Sequence, residues 1–274
     1  MRIRVTYATT YLYERPVNRL VQLLRLTPRS HEGQHVAYWQ VDVHPEGTLR
    51  RHEDALGNIT HTLYLPQAGP RLTLTVSGEV ETHDTAGVVR GSVERFPDAV
   101  YTRSTPLTEA DASLCDFAAD AVSGVNGDPI DRLHALMGAV HREMVFDTGP
   151  TDARTTAAQA FTLKRGVCQD LTHVFIAAAR RLGYPARYVS GHLANADGRE
   201  LDAAHAWAEA KAPGLGWIGF DPTHDLCPTE SYLRVAVGLD YLGAAPVRGS
   251  RYGGGAEVLD VKLQAADAIS QDQA

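Results

Sequence analysis

A thiol, an imidazole and a carboxylate follow one another along this chain as Cys168, His205 and Asp221. A nucleophilic cysteine needs these groups: a base to take its proton and an acid to orient that base. Cys168 lies in RGVCQDLTHVF, behind a glycine, with Lys164 and Arg165 just upstream. Leu171, Val174, Phe175, Ala178 and Leu182 recur at helical spacing, and Gly183 and Pro185 end the run. Cys168 is therefore expected in the first helical turn. Unpaired N–H groups and the positive end of the helix dipole favour a thiolate there. Gly166 would let the chain turn sharply into the helix and let a substrate come close. A cysteine that merely filled space would be expected in the middle of the apolar face.

The partners come from HAWAEAKAPGLGWIGFD, which reads as two strands joined by a tight turn. With Pro213 near the centre of that turn, Lys211 faces Leu215, Glu209 faces Trp217, Trp207 faces Gly219 and His205 faces Asp221. Opposed side chains in a hairpin lie about 4.5–5.5 Å apart at Cβ. Asp221 would then take the Nδ1 proton of His205 and leave Nε2 for the thiol.

The elements that must position these groups fall into two regions. RIRVTY, VAYWQVDVHP, ITHTLYL and RLTLTVSGEVET alternate apolar and polar residues as half-buried strands do, with turn residues between them. Residues 1–85 are thus expected to form an antiparallel β-domain, a sandwich. Residues 86–107 lose the alternation, contain Pro97 and Pro106, and read as a linking segment over the surface. From Thr108, read as an N-cap, the period becomes helical. Leu114, Phe117, Ala118 and Ala121 mark one helix; Leu133, Leu136, Met137 and Val140 mark a second. A short TTAAQAF turn precedes the Cys168 helix, and strand-like segments follow it. Residues 108–264 are expected to be an α+β core with AEVLDVKLQ as its closing strand, and residues 265–274 a frayed tail.

GVCQDLTHVFIAAARRLGYPARYVSGH, HAWAEA and GWIGFDPTH resemble the three core motifs of the transglutaminase-like superfamily, in its bacterial branch. LLRLTPRSHEGQHVAYWQVDVHP and RRHEDALGNIT look like the β-rich N-terminal domain of that branch, and VRGSRYGGGAEVLDVKL looks like its closing segment. The resemblance implies a papain-like α+β core behind the β-sandwich, with the site between helix and sheet. It also implies Cys168 as nucleophile, His205 as base, Asp221 as orienting acid, and acyl transfer on a peptide or side-chain amide. Hydrolysis is the expected outcome, as in a cysteine peptidase or amidase, because water needs no second binding site. A transglutaminase using an amine, or an inactive binding module, are the alternatives. The oxyanion would rest partly on the Cys168 N–H; the second donor is not readable from the sequence. His224 departs from relatives that often carry Asn after DPT, and is read as affecting local substrate contacts only. No cofactor or metal is expected, and nothing matches the calcium sites of the animal enzymes.

Other motifs carry less. HEGQH at 31–35 has the zinc-peptidase spacing, but Pro28, Gly33 and the strand alternation from Val36 deny it the required helix. RYGGGAE at 251–257 lacks the Lys-Ser/Thr ending of a phosphate loop and reads as a turn. Cys227, His173 and Cys115 are read as packing residues. A formal charge of −7 with no basic run argues against nucleic acid or an anionic membrane surface as partner. Three cysteines without C-x-x-C suggest neither a disulfide framework nor a zinc site, and suit a reducing cytoplasm. The strand-like MRIRVTYATTYLYERP is unlike a signal peptide, and no stretch nears the roughly 18 apolar residues of a membrane span.

Overall fold

The protein is described as a computed structural model covering residues 1–194, 200–201 and 204–267. The first region contributes β1 (Arg2–Thr27), β2 (Gln34–His44), β3 (Thr48–Glu53), β4 (Ile59–Leu65) and β5 (Gly69–Thr82). Then come β6 (Val88–Val89), α1 (Asp98–Tyr101), α2 (Ala112–Ala121), α3 (Pro129–Glu143), β7 (Val145–Phe146), α4 (Ala157–Leu163), β8 (Arg165–Gly166) and α5 (Cys168–Arg181). The chain ends with β9 (Ala186–Leu193), β10 (Glu200–Leu201), β11 (His205–Ala212), β12 (Gly216–Phe220), β13 (Tyr232–Gly238), α6 (Tyr241–Ala244), β14 (Val247–Gly253) and β15 (Glu257–Asp267).

The architecture is α+β, with an antiparallel β-domain ahead of a core of helices and sheet. β1 organises the first sheet. Its first half runs between β5 and β15, and its second half between β4 and β14. The change of neighbours falls at Glu14–Pro16, where Pro16 has no N–H to give a ladder. The strands form one hydrogen-bonded set of eight, joined through β1. Two of those eight, β14 and β15, come from the C-terminal end. The closing strand expected in the core therefore completes the N-terminal sheet. β15 also runs through Ala265–Asp267, paired with Ile3–Val5, into the segment expected to fray; residues 268–274 lie outside the described residues.

The second sheet has the order β13–β9–β11–β12–β6. β6 comes from the expected surface linker, which is thus partly structural: Tyr101 from the same segment is buried edge-on against Trp217. α2 is capped by Asp111, whose carboxylate accepts the Leu114 N–H at 2.9 Å. Thr108, expected as that cap, instead accepts from the buried Arg180 guanidinium at 2.7 Å.

α5 is the central helix. Every residue from Asp170 to Arg180 is buried, far beyond the single stripe seen in the sequence. It lies on β11 with α2, α3 and α4 around it. Ala206, Ala208, Ala210 and Ala212 make one face of β11, small enough for a helix to approach closely. The two halves share one apolar core and are joined at the free edge of β13. There the Gln34 amide bonds both the N–H and C=O of Arg234, and the Asn58 amide does the same for Val237, at 2.8–2.9 Å. Two side chains thus stand in for a neighbouring strand and cover that edge.

Candidate active site

α5 begins at Cys168, so the thiol stands in the first turn as its sequence position predicts. Val167 is the N-cap residue and has no capping side chain of its own. The Asp170 carboxylate serves instead, taking the Val167 N–H at 2.9 Å and the Thr151 hydroxyl at 2.7 Å. Burial raises the Asp170 pKa, against those two hydrogen bonds. Gly166 is needed here for a reason other than substrate approach: a Cβ would lie 2.5 Å from the Asp170 carboxylate. The helix start is therefore held by a carboxylate that only a glycine leaves room for. Asp170 was not singled out in the sequence, although an acidic residue in a first helical turn is a local signal.

The hairpin differs from its expected register. Glu209 faces Gly219, and Lys211 faces Trp217, a slip of two residues from the expected pairs. Pro213 takes the second turn position and Gly214, at φ +80°, the third, with the Leu215 N–H bonded to the Ala212 carbonyl at 3.2 Å. The turn is thus centred one residue later than Pro213. A slip of two preserves the face, because side chains alternate with period two. Asp221 lies just beyond β12, diagonal to His205 on the same face, and the side chains meet at 2.6 Å.

The nitrogen that meets Asp221 is Nε2, contrary to the expectation of Nδ1. Cys168 also acts on the ring electrostatically, and with Nε2 committed to Asp221 the nitrogen left for the thiol is Nδ1. Burial lowers the His205 pKa, but the hydrogen bonds and charges of Asp221 and Cys168 outweigh it and raise the value to about 9. The ring lies among those of Trp207, Tyr232 and His224, with centroids at 6.1, 5.8 and 5.0 Å.

Asp221 is wholly buried and accepts four hydrogen bonds. Its Oδ2 takes His205 Nε2 at 2.6 Å, His224 Nδ1 at 2.7 Å and the Tyr232 hydroxyl at 2.7 Å; its Oδ1 takes the Thr223 N–H at 2.9 Å. Burial works to raise its pKa, and these partners instead hold it far below the usual carboxylate range. His224, expected to affect local substrate contacts only, is thus bonded to the carboxylate that also holds His205. Tyr232 comes from β13 and carried no local signal. Among the described residues, His205, Asp221 and His224 also form a group with donor atoms close enough to share a metal ion.

The remaining motifs lie apart from this chemistry. His31 sits in a turn leading into β2 and accepts the Gly33 N–H, so HEGQH has no helix. Gly253, Gly254 and Gly255 all have positive φ and make the turn between β14 and β15. His173 Nε2 accepts the Tyr241 N–H at 3.0 Å, and burial holds its pKa down at about 4. Burial pushes the Cys227 thiol up to about 11. On the face of β11 carrying Trp207, Glu209 is buried between Arg187 and Arg234, each at 2.6 Å, a network the sequence reading did not find. A glutamate alternating with two aromatic rings in HAWAEA was its only trace.

Comparison with known proteins agrees with this layout. The model of the transglutaminase-like superfamily matches residues 116–222, and that of the bacterial transglutaminase-like N-terminal region matches residues 3–81. An uncharacterised protein of Mycobacterium leprae is 31% identical over 283 residues, covering 96% of this chain and 98% of its own. A protein-glutamine gamma-glutamyltransferase of Pseudomonas aeruginosa is 32% identical, but over 118 residues that make up 38% of this chain and 17% of its own. A crystal structure from Cytophaga hutchinsonii, provisionally assigned as a cysteine protease, superposes with a TM-score of 0.79 at 21% identity. That superposition covers 98% of this chain and 91% of the other, and at that identity it speaks for the fold.

Proposed function

The chain belongs to the transglutaminase-like superfamily, and from that premise we propose that it transfers acyl groups from amides through a thioester at Cys168. The observation that carries this reading is the His205 ring, bonded through Nε2 to the buried Asp221 at 2.6 Å, with Cys168 at the start of α5 as a further influence on its charge. Asp221 keeps a proton on Nε2 and faces Nδ1 to the sulfur. His205 draws the thiol proton, and the resulting thiolate attacks the amide carbonyl. The imidazolium then gives its Nδ1 proton to the departing amine. The Cys168 N–H, in the first helical turn, contributes to holding the oxyanion. A second nucleophile, activated by the same nitrogen, releases the acyl group and restores the thiol.

Water as that second nucleophile makes the protein a peptidase or amidase, the reading preferred here because it asks for no further binding site. The provisional assignment of the Cytophaga structure as a cysteine protease is in keeping with it. An amine would make it a transglutaminase, the activity named for the Pseudomonas relative over the matched segment. Incubation with a glutaminyl peptide and a labelled primary amine separates the two. Ammonia release without incorporation of label is expected; incorporation would reverse the preference. Absence of both, with no acyl group on Cys168 by mass spectrometry across a panel of peptide amides and esters, would leave a binding module.

A further inference from the structure

The carboxylate behind the imidazole holds a second imidazole besides the one a triad uses. His205 Nε2 and His224 Nδ1 both bond Asp221 Oδ2, and the three donor atoms lie within 4.8 Å of one another. We propose that His205, Asp221 and His224 form a site for Zn²⁺ or a similar divalent transition-metal ion, and that occupation of the site switches off the thiol chemistry. The inhibitory half of this inference rests on the function proposed above; the binding half does not.

Two imidazole nitrogens and a carboxylate oxygen are a donor set that zinc takes, whereas calcium and magnesium take oxygens. Zinc ligands lie about 2.0–2.2 Å from a tetrahedral ion, so neighbouring donors stand about 3.3 Å apart. The contacts of 2.6 and 2.7 Å need to open by roughly 0.7 Å to admit it. Asp221 is fixed by the Thr223 N–H on Oδ1 and by the Tyr232 hydroxyl, the kind of outer support that orients a metal ligand. His224 is the adjustable member. Its side chain is 42% exposed, in the turn that runs from Asp221 to Leu226, and it opens a route to solvent.

Protons balance without any redox step. Each ring ends with its metal-facing nitrogen bare and its other nitrogen protonated; neutral His205 gives its Nε2 proton to solvent and takes one up at Nδ1 from solvent. For His205 that other nitrogen is Nδ1, where a fixed proton prevents it from accepting the proton of Cys168. An imidazolium at His205 would pass its Nε2 proton to solvent as the ion binds. Sulfur is not among the ligands, because the close donor atoms belong to His205, Asp221 and His224. Inhibition therefore comes from losing the base, not from capping the thiolate.

Removing the sulfur makes the test specific. The Cys168→Ala protein, titrated calorimetrically with zinc chloride at neutral pH, is expected to bind one ion. Adding His224→Asn should weaken binding by at least tenfold, roughly the least that loss of even an outer-sphere partner costs. Cobalt(II) in the Cys168→Ala protein should show visible d–d bands without a thiolate charge-transfer band. Circular dichroism identifies any variant that has not folded, and His224→Gln then replaces His224→Asn. No zinc binding by the Cys168→Ala protein, or equal binding with and without His224, would overturn the site. Failure of the thiol function would show separately, as an inactive wild-type protein in chelator-treated buffer.

Discussion

A buried carboxylate that accepts four hydrogen bonds has little freedom left, and Asp221 is such a group. Asn at this position can keep the shape but not the acceptors. With its amide nitrogen at the Oδ2 place it faces three donors; turned over, it faces the Thr223 N–H. Either orientation opposes donor to donor, so Asp221→Asn should lower turnover by about 10² to 10⁴, as loss of a triad acid does elsewhere. It should also cost about 1–3 kcal/mol of stability through unmade buried bonds. Steady-state kinetics with a thermal melt checks both, and wild-type turnover would remove Asp221 from the mechanism. The residue types of the site were legible because Cys168 opens a helix, while His205 and Asp221 belong to one hairpin. Which imidazole nitrogen met the acid was not legible. That depends on a diagonal contact set by the turn at Pro213–Gly214, and a one-residue error in the turn centre changes the contact while leaving the face unchanged.

At the scale of elements, the site depends on how firmly α5 is started. Asp170 ties Val167 and Thr151 to the first turn, and Gly166 makes space for its carboxylate. Gly166→Ala should push that carboxylate aside, cost about 1–3 kcal/mol as overpacking does, and slow alkylation of Cys168. Parallel rate and melting measurements on the variant check this; unchanged values would show that the helix start tolerates the methyl. The helix itself was legible in its apolar spacing, and its end in Gly183 and Pro185. Its burial on all sides was not, because Thr172, His173 and Arg180 look like solvent-facing residues in sequence. They are buried because β11 covers one side of α5 while α2, α3 and α4 cover others.

On the scale of the whole molecule, the sequence showed a β-region and an α+β region, but not how they close on each other. β14 and β15 pair with β1 across more than two hundred residues, and Gln34 and Asn58 meet β13 from a similar distance. Pairings so far apart leave no local pattern to read. The shared interior also buries histidines. Burial holds His173 and His192 at about 4, against about 6.5 in the unfolded chain. Between those values the unfolded chain binds more protons. The stability these groups provide is therefore complete above pH 6.5, falls as the pH drops, and stops falling below about 4. Each could account for up to roughly 3 kcal/mol. Urea midpoints should accordingly fall steeply from pH 7 to pH 4.5. His173→Gln, which can still accept the Tyr241 N–H, should make that fall shallower. Superimposable pH curves for the two proteins would contradict this role of burial.

Cys168, at the start of α5 and paired in the proposed mechanism with His205, should be an activated nucleophile. Brief treatment with limiting iodoacetamide at neutral pH, read peptide by peptide in a mass spectrometer, measures this directly. Cys168 should be labelled well ahead of Cys115 and Cys227, the latter pushed up to about 11 by burial. His205→Ala should remove most of that lead. Equal labelling of the three cysteines in the folded wild-type protein would contradict this activation.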